Sequence, residues 1–210
     1  MKQINLKIVQ RLPYRAEDFI LHSGILPEFR RCVAAFKRRE FSLVLIEGEA
    51  RSGKTHLAMR LVDEADAHRR PVNLVDGHTL DQLLPGFEPQ RGHAVVIDDA
   101  HIYLSNLRPG LSGPFVTFVE SLRRADGVLV LLSGIPRREF QFDEHVASRI
   151  AAAAGDPLTA PLPEEMAALI NRMAVQRGLK LPARRLGVLS RDLARDPAVI
   201  EQALAQLHIA

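Results

Sequence analysis

An α/β fold is what this sequence predicts: a five-stranded parallel sheet flanked by helices, followed by a small C-terminal helical lid. Three observations carry that prediction. Short apolar runs bounded by turn residues alternate with helical spacing over the first three quarters of the 210 residues. A glycine-rich run ending Gly53-Lys54-Thr55 stands between a predicted strand and a predicted helix. After Pro163 the strand signal stops and helical spacing continues alone.

Taken in order, Leu26, Phe29, Val33 and Phe36 fall at helical spacing around Cys32, predicting an amphipathic helix in which the cysteine is a core thiol. Residues 42–47 (SLVLIE) read as a buried parallel strand that stops at Gly48. Helical spacing follows from Lys54 through Leu57, Leu61 and Ala65. The strand signal recurs at 72–75, 94–97 and 128–132, with a helix between the last two that places Phe115, Phe118, Val119 and Leu122 on one face. A fifth strand is predicted at 158–162, at an edge because Pro163 ends it. Residues 164–177, 182–190 and 197–207 read as three short helices, with proline at or near two of their starts. The chain thus divides into a tail over 1–11, a core over 12–162 and a lid over 163–210.

Composition narrows the class. Hydrophobic residues at 47% and charged residues at 25% are ordinary for a folded chain and exclude intrinsic disorder. No run approaches the roughly 18 to 20 apolar residues of a membrane span, and no signal-peptide core follows Lys2 and Lys7, so a cytoplasmic protein is expected. The single cysteine excludes an intrachain disulfide and a cysteine-built zinc site. A net charge of +3 permits nucleic-acid contact without arguing for it. The basic cluster Arg30, Arg31, Lys37, Arg38 and Arg39 reads as a solvated helix face, with contact to DNA or a partner as the alternative. His78, His93 and His145 lack ligand spacing, so no metal is expected beyond nucleotide-bound Mg²⁺.

The chemistry concentrates in two places. Gly48-Glu49-Ala50-Arg51-Ser52-Gly53-Lys54-Thr55 fits G-x-x-x-x-G-K-[ST]. Gly48 and Gly53 free the backbone to wrap an anion, with Arg51 and Ser52 in the wrapping loop. Lys54 supplies a point charge to the phosphates, and the Thr55 hydroxyl is a Mg²⁺ ligand. The second place is the strand end Ile97-Asp98-Asp99. Asp98 is expected to hold Mg²⁺ through water opposite Thr55, and Asp99 to polarise the attacking water.

The order of parts resembles the AAA+ ATPases: a phosphate loop, an Asp-Asp strand, a strand ending Leu132-Ser133-Gly134, an arginine in Ala147-Ser148-Arg149-Ile150, and a helical lid. Within them it is most similar to the DnaA/Hda family, and to its short Hda-type members. Gly53-Lys54-Thr55-His56-Leu57 and Ile97-Asp98-Asp99-Ala100-His101 carry the closest wording, and Ala16-Glu17-Asp18-Phe19-Ile20 looks like the family segment that contacts adenine. The resemblance implies a P-loop AAA+ core with ADP or ATP and Mg²⁺. Asp18, Phe19 and Ile20 would lie at the base, Ser133 at the end of the fourth strand, and Arg149 would act as an arginine finger in trans. Arg195 would be the lid residue that senses nucleotide, with Arg191 one turn earlier as the alternative. For Arg149 the bland alternative is a surface arginine on a short helix.

Gln3-Ile4-Asn5-Leu6-Lys7-Ile8 resembles the sliding-clamp peptide of the short members. Gln3 would bond to backbone, and Ile4, Leu6 and Ile8 would alternate onto one side; an ordinary edge strand is the alternative. Two departures bear on function. Gly134 stands where DnaA-like chains carry an acid, so weak intrinsic hydrolysis is expected. The sequence given stops soon after the lid, without the helix-turn-helix region of an initiator. The implied role is a regulator that binds the polymerase III sliding clamp (beta subunit), promotes hydrolysis of DnaA-bound ATP, and meets DNA only through the clamp; a homo-oligomer stays open. The competing readings are a self-hydrolysing DNA-associated ATPase or loader, and a P-loop small-molecule kinase.

Overall fold

The computed structural model describes residues 19–108 and 110–208. The expected clamp-binding residues Gln3, Ile4, Leu6 and Ile8, and the adenine-segment residue Asp18, lie outside the described residues.

Four parallel strands, β1 (Ser42–Glu47), β2 (Val72–Asp76), β3 (Ala94–Asp98) and β4 (Val128–Ser133), form one sheet in the order β1-β4-β3-β2 among the described residues. All four coincide with the predicted apolar runs to within a residue. β4 lies between β1 and β3 and is buried along its whole length, as a central parallel strand must be.

The period-two alternation of strand side chains divides two cores, one on each face. On one face Val44, Ile46, Val96, Val130 and Leu132 pack against α1 (Leu26–Lys37) and α2 (Lys54–Ala67). Cys32 sits there, completely buried, and burial pushes its thiol up to about 12, so it is a core side chain and not a nucleophile. On the other face Leu45, Val95, Ile97, Leu129 and Leu131 pack against three helices: α4 (Ala100–Leu104), α5 (Gly113–Arg124) and α6 (Glu144–Ala153). A single-turn helix, α3 (Leu80–Leu83), contributes Leu80 to this core.

The predicted fifth strand does not form. Residues 158–162 carry no strand pairing; beside β1 the chain makes a parallel bridge between Leu45 and Ala154 and a hydrogen bond from Leu158 N–H to Glu47 O (2.7 Å). Leu158 bonds to the last residue of β1, so the residues after it run past the end of that strand. Pro157, Pro161 and Pro163 supply no N–H to a ladder. Arg31 reaches from α1 to donate to the carbonyls of Leu45 (2.7 Å) and Ala153 (2.6 Å), while the buried Glu28 carboxylate holds its guanidinium. Past Leu158 the backbone pairs elsewhere, Thr159 N–H donating to Gly24 O. Arg31, expected on a solvated basic face, is therefore only partly exposed, its guanidinium turned onto backbone carbonyls and Glu28.

The lid helices form as predicted: α7 (Met166–Gln176) after a 3-10 turn at Pro163–Glu165, α8 (Ala183–Asp192) and α9 (Pro197–His208). Their small core consists of Met166, Leu169, Ile170, Ala174, Ile200 and Leu204. No helix among the described residues is long and apolar enough to cross a membrane.

Candidate functional site

The 48–55 loop leaves the carboxyl end of β1 and runs into α2, while Asp98-Asp99 and Ser133-Gly134 end β3 and β4 beside it. This is where open α/β sheets receive ligands. Gly48 N–H donates to Ser133 O (3.1 Å), fastening the loop to β4. Gly53, at φ +88°, makes the left-handed turn into α2 that a side chain would resist. Gly53, the N-cap of α2, has no side chain with which to cap the helix, whose start the loop wraps.

Lys54 is buried, and its ammonium donates to Gly48 O (2.9 Å) and Glu49 O (2.8 Å). Burial lowers its pKa, and the negative charges of Asp99 and Asp98 oppose that shift. Burial conversely raises the Asp98 carboxyl; a hydrogen bond from Thr55 works against it, and the neighbouring Asp99 charge reinforces it. Asp98 also accepts the N–H of Asp99 (3.0 Å), whose backbone turns left-handed at φ +47° to start α4. The predicted acidic pair, lysine and threonine thus meet in one place.

The loop fits an anion. The Ser52 hydroxyl is buried without a hydrogen-bond partner, an orphan that an oxygen-rich ligand would satisfy. A β-carbon at Gly48 would stand 2.6 Å from that oxygen, so glycine keeps the cradle open. Among the described residues no three His, Cys, Asp or Glu side chains gather as a metal cage. Asp98 and Thr55 are instead a two-residue partnership of the kind that Mg²⁺ completes with water and phosphate oxygens.

The other predicted residues divide into those at the site and those away from it. Phe19 packs on the core beneath α1 and α2, whereas Ile20, the next residue, packs on the lid cluster, so this segment spans the cleft between them. Ser133 is buried, but its hydroxyl is engaged by Ile135 O (2.5 Å). The Arg51 side chain turns from the loop toward the lid and pairs with Asp196 (3.8 Å). Arg195 donates to Pro161 O (3.2 Å) at the core–lid connection, while Arg191 turns back onto its own helix at Gly187 O (3.1 Å). Arg149 lies apart on α6, bound to Glu120 of α5 (3.1 Å) in a cleft beside Leu43, near the amino end of β1. The 48–55 loop follows the opposite end of that strand.

Sequence reasoning missed the contacts that join lid to core. The Glu165 carboxylate accepts Ser23 N–H (2.8 Å), Ser23 Oγ–H (2.8 Å) and Leu162 N–H (2.8 Å). Burial pushes this carboxyl up, but the hydrogen bonds from Leu162 and Ser23, with the His22 ring nearby, outweigh it and leave Glu165 below the ordinary carboxylate range. An acid soon after a proline at a helix start signals a cap; nothing local announces a partner so far away in the chain. His101 was also passed over: its Nδ1 accepts Gly134 N–H (3.1 Å), bridging the ends of β3 and β4.

These elements define an AAA+-like fold with a parallel sheet, flanking helices and a small helical lid. Among solved structures, domain III of the replication initiation protein DnaA from Thermotoga maritima superposes with a TM-score of 0.76 at 16% identity, over 93% of this chain and 88% of that one. DnaA from Aquifex aeolicus bound to AMPPCP gives 0.70 at 15% identity, over 92% of this chain and 64% of that one. The Thermotoga maritima RuvB Holliday junction branch migration motor gives 0.67 at 15%, over 94% and 65%. The chain thus spans about two-thirds of those two longer proteins. No protein-family profile matches the sequence, and no curated protein does.

Proposed function

We propose that this chain is a DnaA-related AAA+ regulator that binds ADP or ATP with Mg²⁺ at the 48–55 loop and promotes hydrolysis of ATP held by DnaA. Engagement of the sliding clamp through residues 3–8, which would limit replication initiation at loaded DNA, rests on the sequence resemblance alone. One observation carries the nucleotide reading: buried Lys54, the Asp98–Thr55 pair and the orphaned Ser52 hydroxyl converge where the uncapped α2 begins.

In this reading the α2 N–H groups and Lys54 bind phosphate oxygens, the lysine exchanging its two carbonyl partners for them. Asp98 and Thr55 would hold Mg²⁺, whose bound form supplies charge neutralisation at the phosphates. Phe19 and Ile20 would receive the base between core and lid, so that occupancy is felt by both. The place of Arg149, away from its own loop and beside the amino end of β1, supports action on a neighbouring molecule's nucleotide. Glu120 would keep the guanidinium oriented until a stronger anion competes for it.

The likeness to RuvB, named as a branch migration motor, favours one second reading: an ATPase that hydrolyses for itself on DNA. Mixing DnaA–ATP with clamp-loaded DNA, with and without this chain, separates the two. The regulator reading predicts a rise in the ADP fraction on DnaA, and a fall of about 10³-fold in that stimulation for Arg149→Ala, as loss of a trans arginine causes in related phosphoryl transfer. An unchanged ADP fraction, with DNA-stimulated phosphate release by the chain alone, would favour the second reading instead.

A further inference from the structure

We infer that His101 is the side chain through which this site distinguishes a nucleoside triphosphate from a diphosphate, its Nε2–H donating to the terminal phosphate. The inference rests on the reading of the 48–55 loop as a phosphate site and names a residue that the motif does not contain.

The argument begins with space. A β-carbon at position 134 would stand 2.9 Å from Cε1 and 3.2 Å from Nε2 of His101, so the ring fills the room a side chain at the end of β4 would take. Glycine at 134 is the condition for the imidazole to be there. Its protonation follows from its neighbours. Nδ1 lies 3.1 Å from Gly134 N and accepts that N–H, so in the neutral ring the proton is on Nε2. The Asp99 carboxylate, 3.9 Å from Nδ1, is too distant to reverse that choice by a hydrogen bond of its own. The ring is half-buried and held at Nδ1 by the Gly134 N–H.

Position supplies the rest. Gly48 N–H on Ser133 O sets the end of β4 against the first residue of the loop, and the Thr55 hydrogen bond to Asp98 sets the end of β3 against the last. His101 joins those two strand ends. The Ser133 hydroxyl is occupied by Ile135 and the Arg51 side chain faces Asp196, so neither competes for this role. A diphosphate would be satisfied by the loop and the start of α2, and a third phosphate would extend the anion toward the ends of β3 and β4 that border the loop.

Two isosteres separate the ring's two nitrogens. Asn at 101 can reproduce the Nδ1 acceptor and keep Gly134 satisfied but lacks the distal donor; Gln can place an N–H near Nε2. Mg²⁺-dependent titrations of wild type, Lys54→Ala, His101→Asn and His101→Gln would use N-methylanthraniloyl ADP and the matching β,γ-methylene ATP analogue. His101→Asn is expected to weaken the ATP analogue about tenfold, the loss of roughly one charge-assisted hydrogen bond, with ADP within about twofold of wild type. His101→Gln should restore most of the difference. An unchanged ATP-to-ADP ratio in a folded His101→Asn overturns the assignment while leaving the phosphate site standing, provided that Lys54→Ala weakens both probes. Failure of the wild type to bind either probe overturns both. Ring ¹⁵N shifts of His101 in the wild type make the test independent of any variant: they should report the Nε2–H form and move with the ATP analogue more than with ADP. Equal movement with both would contradict the inference.

Discussion

The core and the lid are held together in different ways. The core has a central strand buried end to end and an apolar layer on each face of its sheet, so most of its contacts are its own. The lid has a core of only a few buried residues and meets the sheet domain through identifiable polar links: Glu165 to Ser23, Arg195 to Pro161, and Arg51 to Asp196. Ile20 adds an apolar contact from the segment that precedes α1. A unit of that size has little stability alone. Its position is therefore decided by a few contacts that cluster around the candidate site, and a ligand there can move it at small cost.

The widest contrast is expected from matched cavities. Leu131→Ala, in the centre of β4, should cost about 2 to 5 kcal/mol and lower the midpoint of global denaturation. Ile170→Ala, equally buried, should cost a similar amount locally, but show in hydrogen exchange as early opening of α7 to α9 with the sheet amides still protected. A single concerted transition in both variants would erase the distinction between the two regions.

Glu165→Gln tests the link itself. One amide cannot accept from Ser23 N–H, Ser23 Oγ–H and Leu162 N–H together, because its NH₂ would face a donor. The expected cost is about 1 kcal/mol for a partly exposed carboxylate, seen as faster lid exchange. Because folding depresses this carboxyl, its contribution is present above the unfolded value near 4.5 and is lost as pH falls through the folded one. Lid exchange in the wild type should therefore accelerate on acidification below about 4.5, and Glu165→Gln should lack that response.

The smallest effect concerns Asp98, where the sign reverses. Its folded pKa is raised, so the favourable contribution exists below the unfolded value and is lost as pH rises through the folded one; at neutral pH the ionised carboxylate opposes folding. Asp98→Asn should leave the ligand-free melting temperature at pH 7 equal or slightly higher, while weakening Mg²⁺-dependent nucleotide binding. A clear loss of ligand-free stability would show that Asp98 is structural.

What was legible in the sequence follows from how local each signal is. The four strands announce themselves because each is a continuous apolar run, and three are followed by an acid or glycine turn that belongs to the site. The phosphate-loop spacing likewise needs no tertiary information. Leu158 and Leu162 look like strand residues, but Leu158 already bonds to Glu47, the last residue of β1, and the prolines at 157, 161 and 163 supply no N–H. α4 escaped notice because it begins inside the acidic motif through the left-handed Asp99 and lasts five residues. The Ser23–Glu165 and His101–Gly134 contacts join residues 142 and 33 positions apart, and no periodicity encodes such pairs.

The central claim, that the loop after β1 is a nucleotide site coupled to the lid, is tested most directly by titrating Mg²⁺–ADP into the wild-type chain and Lys54→Ala by calorimetry. Removing the buried ammonium should forfeit roughly 1.5 to 3 kcal/mol, hence about a ten- to hundred-fold weaker affinity, with wild-type binding saturating at one nucleotide per chain. Equal affinity in the two proteins, or no binding by the wild type, would contradict it.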